Sequence, residues 1–371
     1  MRKLIFILLS LFFLFITIPF ASAEEPVVRI TSTVHQNFTG EFVNDDLAQE
    51  LTPSGRLGQL VFIPFKEAKI WAIDPALIDE VIAMTGDYIL VGGATPSGKE
   101  IALSWLTQLR EITSNNEVIA LAYGNPDVVL AKRLAPSELR AYFAYGKTAL
   151  ELALGRNVGS EPNQLWNAGT SKLSSELSRA YGDSRKDLTR LSRVVSSPEL
   201  VQLRMSLARL LSPSLNVKER TAFSLNSRIA VDAQVQKLRI VRGKYQLTTE
   251  MSSLPVTVIN EFPVDVTVNI RMVAGNARII VDSFTGVVLP ALSKLQLELN
   301  AFVIAPGQTV VLAQITDALG ISVVPSAVLE LNATVIDSRV TWFTTGAAIL
   351  LLLAAIAQSV RRIKRGRQSE I

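Results

Sequence analysis

Cysteine is absent from this 371-residue chain, and histidine occurs once. Without thiols, disulfide staples and thiolate metal sites are excluded. Stability must come from packed cores. With His35 alone, multi-histidine zinc sites cannot be built, and a Ser-His-Asp triad would have to recruit one residue from a polar stretch near the start of the chain. Hydrolytic chemistry, if present, would rest on carboxylates, and neither metal nor cofactor is expected. Aromatic residues make up only 7% of the chain, with four tryptophans, so each ring has to be weighed as core or as ligand surface.

A true excess of positive charge is lacking as well. The formal charge of +4 is carried by the two ends. Removing Arg2, Lys3, Arg361, Arg362, Lys364, Arg365 and Arg367 from 37 basic residues leaves 30, and setting Glu370 aside from 33 acidic residues leaves 32. The part between is about −2, so no electrostatic case for nucleic acid remains. The cations belong instead to targeting signals. Arg2 and Lys3 precede an apolar run from Leu4 to Phe20 and the small residues Ala21-Ser22-Ala23, the pattern of a secretory signal peptide over 1–23. Trp342 to Val360 carries no charge and is followed by five cations, the pattern of a transmembrane helix at 342–360 with a basic cytoplasmic tail at 361–371. Residues between the two are expected outside the membrane of the cell.

That ectodomain is long enough for two cores. Its first part, 24–238, reads as α/β with added helices. Short apolar runs at 60–64, 68–73, 88–91 and 117–123 suggest buried strands, with helical spacing over 77–82 and 97–113 between them. Beyond Pro136 the pattern is helical over 137–154, 171–181, 187–195, 198–211 and 217–238. From 239 to 335 the texture changes to strands near 245–249, 254–259, 264–272, 277–282, 294–299, 308–315 and 321–332, which fits an immunoglobulin-like sandwich. Leu295, Leu297 and Leu299 alternating with Lys294, Gln296 and Glu298 show one buried and one wet face.

Two segments place a carboxylate where a strand meets a helix, Trp71-Ala72-Ile73-Asp74-Pro75 and Tyr123-Gly124-Asn125-Pro126-Asp127. Ligands collect at the carboxyl ends of parallel strands, and two carboxylates there could do acid and base work on a glycan. Helix capping explains the same residues more simply, since Asp74 precedes a proline at the first helical position and Asp127 follows the Asn125-Pro126 turn. Trp71, Tyr123 and Trp166 could stack on sugar faces, or could be core. Gly93-Ala94-Thr95-Pro96-Ser97-Gly98-Lys99 has the spacing of a phosphate loop, but Glu100 stands where Ser or Thr should hold Mg²⁺, and Pro96 removes an N–H, so a plain loop is expected. Asn37-Phe38-Thr39 and Asn332-Ala333-Thr334 match glycosylation sequons, a pattern that arises easily by chance.

Ile73-Asp74-Pro75, Trp105, Tyr123-Gly124-Asn125-Pro126-Asp127, Trp166-Asn167-Ala168-Gly169 and Leu254-Pro255-Val256-Thr257-Val258-Ile259-Asn260 occur in an order that resembles an actinobacterial family of extracytoplasmic membrane proteins of unknown function. The last segment is the most specific. The resemblance implies a signal peptide, a barrel-like α/β domain, an Ig-like domain and a C-terminal membrane helix, and a cell-envelope role near the export of lipid II. This chain departs from the family pattern in being shortened after Trp166, which weighs against catalysis. The expected fold is α+β multidomain, with a shortened barrel-like α/β domain, an all-β immunoglobulin-like sandwich and one transmembrane helix. The expected function is a non-enzymatic binding or scaffold protein for a cell-wall glycan or a membrane protein partner. The alternatives are a degenerate or active carboxylate-dependent glycan hydrolase, and a regulator that acts on a transporter through its membrane helix.

Overall fold

The structure, a computed structural model, describes residues 27–63, 69–160, 169, 171–334 and 338–367. Residues 1–23, expected to be a signal peptide, and Trp166 lie outside the described residues. The chain divides into two compact units, Met1–Lys172 with Ala208–Arg220, and Leu173–Leu207 with Thr221–Ile371.

The first unit is built on four parallel strands in sequential order, β1 (Val27–Ile30), β2 (Ile70–Ile73), β3 (Glu117–Ala120) and β4 (Gly159–Ser160). Helices α1 (Asp46–Leu51), α2 (Arg56–Phe62), α3 (Pro75–Met84), α4 (Lys99–Thr113), α5 (Val128–Leu134) and α6 (Pro136–Leu154) connect them. Parallel pairing demands such crossovers and buries the strands, which explains the unbroken apolar run of Trp71, Ala72 and Ile73. Among the described residues the sheet stays open. Its core gathers Ile30, Phe42, Leu47, Leu51, Trp71, Ile73, Ile78, Trp105 and Leu109, all at most 2% exposed. Each such side chain contributes roughly 1.5–3 kcal/mol by leaving water.

Two expected strands of this unit are not strands. Leu60 to Phe62 belong to α2, because a run of four apolar residues cannot be told from a helix turn by periodicity alone. Leu57 and Val61, one turn apart, are the buried pair, and the Leu57 carbonyl accepts the Trp105 indole N–H at 3.1 Å. The run Tyr88–Val91 contributes a single bridge, Leu90 to Phe42. Strand β3 also stops at Ala120. Beyond it Tyr123 N–H turns to the Tyr142 carbonyl of α6 at 3.0 Å.

The second unit contains α7 (Ser175–Leu191), one helix where two were expected, and α8 (Pro198–Ser206); the 3₁₀ segment Leu207–Leu211 that follows belongs from Ala208 to the first unit. Next comes α9 (Val217–Gln236). Two sheets follow. Their strands are β5 (Leu238–Ile240), β6 (Gly243–Leu247), β7 (Met251–Asn260), β8 (Val266–Ala274), β9 (Ile279–Val281), β10 (Phe284–Leu289), β11 (Ser293–Val303), β12 (Gly307–Thr316) and β13 (Ala327–Ala333). One sheet has the order β10-β8-β12-β13-β6 and the other β5-β7-β11-β9. All pairs are antiparallel except β13 with β6. Inward residues alternate with wet ones, as in a β-sandwich. β5 and β10 escaped the sequence reading. β10 is broken by a register shift between Phe284 and Val287 and by Gly286 at φ +64°.

Asn260, the end of the Leu-Pro-Val-Thr-Val-x-Asn segment, is fully buried at a corner of this unit. Its amide donates to the carbonyls of Val264, Leu289 and Pro290 at 2.9–3.1 Å, and its oxygen accepts the Phe262 N–H at 3.0 Å. One side chain thereby ties together four backbone groups around the end of β7, with the Pro290 carbonyl also accepting the Ser293 hydroxyl at 2.7 Å.

The last helix, α10 (Ser338–Arg367), has side chains described from Thr345 to Arg361. Within that stretch no residue is buried, and Leu350, Leu351, Leu352 and Leu353 are each more than half exposed. Among the described residues, no helix is long and apolar enough to cross a membrane. The uncharged run Trp342–Val360 begins before the described side chains do.

Candidate functional site

The carboxyl ends of β1, β2 and β3 converge on a buried polar cluster in the first unit. Asp74 follows β2 and caps α3. Its Oδ1 accepts the Ala76 N–H and the Gly124 N–H, each at 3.0 Å. The second bond joins the ends of β2 and β3. It requires Gly124 at φ +75°, where an added Cβ would meet Arg209 backbone and side chain at 2.9 Å. Asn125 follows, also in the left-handed region at φ 45°.

Arg209, from the 3₁₀ segment, fills the cluster's centre. Its Nη1 lies 3.1 Å from Glu80 Oε1 of α3 and 3.4 Å from the Gln36 carbonyl, and its Cζ stands 5.8 Å from the Tyr123 ring centre. Glu80 in turn accepts the backbone N–H groups of His35 and Gln36 at 3.2–3.3 Å. Tyr123 donates its hydroxyl to Asp79 at 2.7 Å and packs edge-on against Tyr145, with ring centres 5.0 Å apart. Burial works against the Arg209 charge, but Glu80, Tyr123 and Asp74 outweigh it and raise its pKa. For Asp74 burial wins. It lifts the carboxyl to about 7, with Glu80 adding to the rise and the N–H groups and Arg209 opposing it. Burial likewise raises Asp79 and Tyr123.

The cluster is closed. Asp74, Glu80 and Arg209 are each at most 6% exposed, and the cavity among them, Thr33 and Ser212 measures about 10 Å³. That is room for about one water, not for a sugar ring.

Asp127 caps α5 elsewhere in the unit. One oxygen accepts the Leu130 N–H at 3.0 Å and the other the Ser171 N–H at 2.9 Å. Of the residues singled out from the sequence, Asp74 and Tyr123 therefore meet around Arg209. Trp71 is core, 2% exposed on β2, and neither it nor Tyr123 offers a ring face to solvent. Glu80, Asp79 and Arg209 were not foreseen. Their signals were present, a carboxylate at helical spacing from Leu77 and Met84, and a cation within Leu207-Ala208-Arg209-Leu210-Leu211.

His35 is buried at 3% exposure, with Nε2 3.0 Å from Ser32 Oγ, while Ser32 donates to Glu50 at 2.9 Å. The serine stands between the imidazole and the acid. In a nucleophilic triad the imidazole stands between, so with its hydroxyl proton given to Glu50, Ser32 accepts from His35 and is not activated by it. The glycine-rich loop is occupied too. Ser97 N–H goes to Asp45 Oδ2 at 2.9 Å and Gly98 N–H to Tyr88 Oη at 2.7 Å, so an internal carboxylate sits at the start of α4 where a phosphate would bind. Among the described residues, no group of three or more His, Asp or Glu could hold a metal.

An open parallel α/β layer with a closed polar centre, followed by helices and a β-sandwich, defines a two-unit mixed α and β protein. The model of a family of unknown function, DUF6049, matches residues 151–370, and the chain belongs to that family. No curated protein matches it. Among solved structures, it is similar to WR4, an MSP family member of C. elegans, at 15% identity over 26% of this chain and 98% of that one, with a TM-score of 0.21. A PapD-like domain of human CEP192 is similar at 13% identity over 27% and 85%, with a TM-score of 0.22. The E. coli chaperone DraB gives 13% over 26% and 55%, with a TM-score of 0.19. Scores at this level carry no argument about function.

Proposed function

We propose that this protein is a single-pass, membrane-anchored extracytoplasmic component of the cell envelope that works by binding or scaffolding, with a cell-wall glycan or a membrane protein as its partner. The observation that carries the non-catalytic reading is the occupancy of the carboxylates. Asp74 holds two backbone N–H groups, Glu80 holds Arg209 and two more, and Asp127 holds α5 and Ser171. A glycosidase needs two carboxyl groups facing a substrate-sized space. The anchor reading is supported by α10, whose apolar side chains are exposed within the described stretch Thr345–Arg361, and by the cations that follow Val360.

The binding reading is tested by crosslinking the anchored protein in intact cells and recovering what is attached. A glycan or an integral membrane protein is expected. Recovery of neither, while the protein is present and folded, contradicts it. The anchor is tested by alkaline carbonate extraction of membranes. Retention of the full chain in the pellet is expected, and its release into the supernatant contradicts the span.

A further inference from the structure

The outer face of the sheet β5-β7-β11-β9 changes character at one end. Along β11 the solvent-facing positions read Lys294, Gln296, Glu298 and Asn300, then Phe302, with Ile304 just past the strand. The neighbouring strands switch at the same step. Asn300 lies opposite Ser253, whereas Phe302 lies opposite Met251 on one side and Ile280 on the other. Two residues beyond Ile280, the β9 side returns to a polar residue with Asp282. Met251 is 74% exposed, Ile304 56%, Ile280 54% and Phe302 46%. Residues opposite each other on one face stand about 5 Å apart, so these side chains form one patch rather than scattered exceptions. Single apolar residues on a surface need no explanation, but a contiguous patch does.

This is the end of the sandwich from which the chain leaves for α10. Residues 304–306 join β11 to β12, and Gly307 at the start of β12 pairs with Ala333, the last residue of β13. From Thr334 to Ser338 there are four peptide steps, at most about 14 Å of chain. Whatever surrounds the first turn of α10 is therefore within reach of the patch.

We propose that Met251, Phe302, Ile280 and Ile304 form a bilayer-contact surface that dips into the headgroup region of the leaflet from which α10 emerges. The proposal rests on the membrane-anchor reading. Glu250 and Arg278 border the patch, their carbonyls accepting the N–H groups of Val303 and Ile304, and their charges offset one another. Contact is thus apolar rather than an attraction to anionic lipid, and it holds the sandwich against the surface instead of leaving it free on its tether.

The absence of native cysteine allows a direct test with the full chain. Ile304→Cys and, three rows from Phe302 on the same face of β11, Gln296→Cys are each labelled with an environment-sensitive fluorophore and reconstituted in phosphatidylcholine vesicles. Flotation first establishes that the protein is embedded. The expected result is blue-shifted emission at position 304, quenched several-fold more by nitroxide-labelled lipid than at position 296. Embedded protein with both positions equally water-exposed overturns the proposal and leaves the anchor reading standing. Protein that does not float with the vesicles overturns both. A label at 304 that neither nitroxide-labelled lipid nor aqueous iodide quenches means that protein, such as a second copy, covers the patch, and this also overturns it. Melting curves matching the unlabelled chain exclude misfolding as the cause.

Discussion

Asp74 is where a single residue reports most on this protein. Its carboxyl is pushed up to about 7 by burial. The sign follows from which state holds the proton: between about pH 4 and pH 7 the folded chain keeps it and the unfolded chain does not, so stability attributable to Asp74 is full at low pH and is lost as pH rises through about 7. Asp74→Asn, which keeps an oxygen for Ala76 and Gly124, is expected to remove this slope, an effect on the order of 4 kcal/mol at most. Urea melts from pH 5 to pH 8 check it, and an unchanged slope in the variant would contradict the assignment. Asp74→Ala should remove the same slope and, at every pH, lie about 1–3 kcal/mol below Asp74→Asn because it orphans two buried N–H groups. Asn260→Ala should cost about 2–3 kcal/mol, since it takes the amide away from four backbone groups, of which the Pro290 carbonyl keeps the Ser293 hydroxyl. A loss below about 1 kcal/mol would mean that water replaces the amide. The caps were legible in the sequence because a cap is local: Asp-Pro before an apolar period is enough. Glu80 and Arg209 were not legible as a pair, because nothing within a few residues of either names a partner so far along the chain.

At the scale of elements, the start of α4 shows how a motif can be present in spacing and absent in chemistry. Gly98 is required there for room, since a Cβ would come within 2.8 Å of Ala48, Tyr88 and Met84 atoms. The anion that its loop holds is Asp45. Burial alone would raise the Asp45 carboxyl, but the hydrogen bonds from Ser97 and Tyr88 outweigh it and hold it below its ordinary value. Its contribution is therefore present above about pH 4 and lost as pH falls through the lowered value, opposite in sign to Asp74. Asp45→Ala should cost about 1–2 kcal/mol at pH 7 and should not create phosphate binding detectable by calorimetry. Phosphate affinity gained by that variant would show that the loop is a masked site. Strands of the sandwich were readable from alternation, as in Leu295, Leu297 and Leu299, whereas Leu60 to Phe62 misled because both faces of a short buried run are apolar. β10 was hidden because Gly286 and a register shift break the period of two.

At the scale of the whole molecule, the proposal of an anchored protein that binds rather than turns over rests on the apolar runs near the two ends of the sequence and on the closed polar cluster. The four-stranded parallel layer has the strand-end geometry that enzymes use, but Arg209 fills the space a substrate would need. The most direct test is a turnover assay. The full chain and its Asp74→Asn and Asp127→Asn variants are incubated in mild detergent with purified cell-wall glycan, and released soluble fragments are measured alongside melting temperature. No release above buffer is expected from any of the three, with Asp127→Asn lowering the melting temperature because its amide nitrogen cannot accept one of the two N–H groups, Leu130 or Ser171, that the carboxylate holds. Release by the natural chain that Asp74→Asn abolishes at unchanged melting temperature would contradict the account.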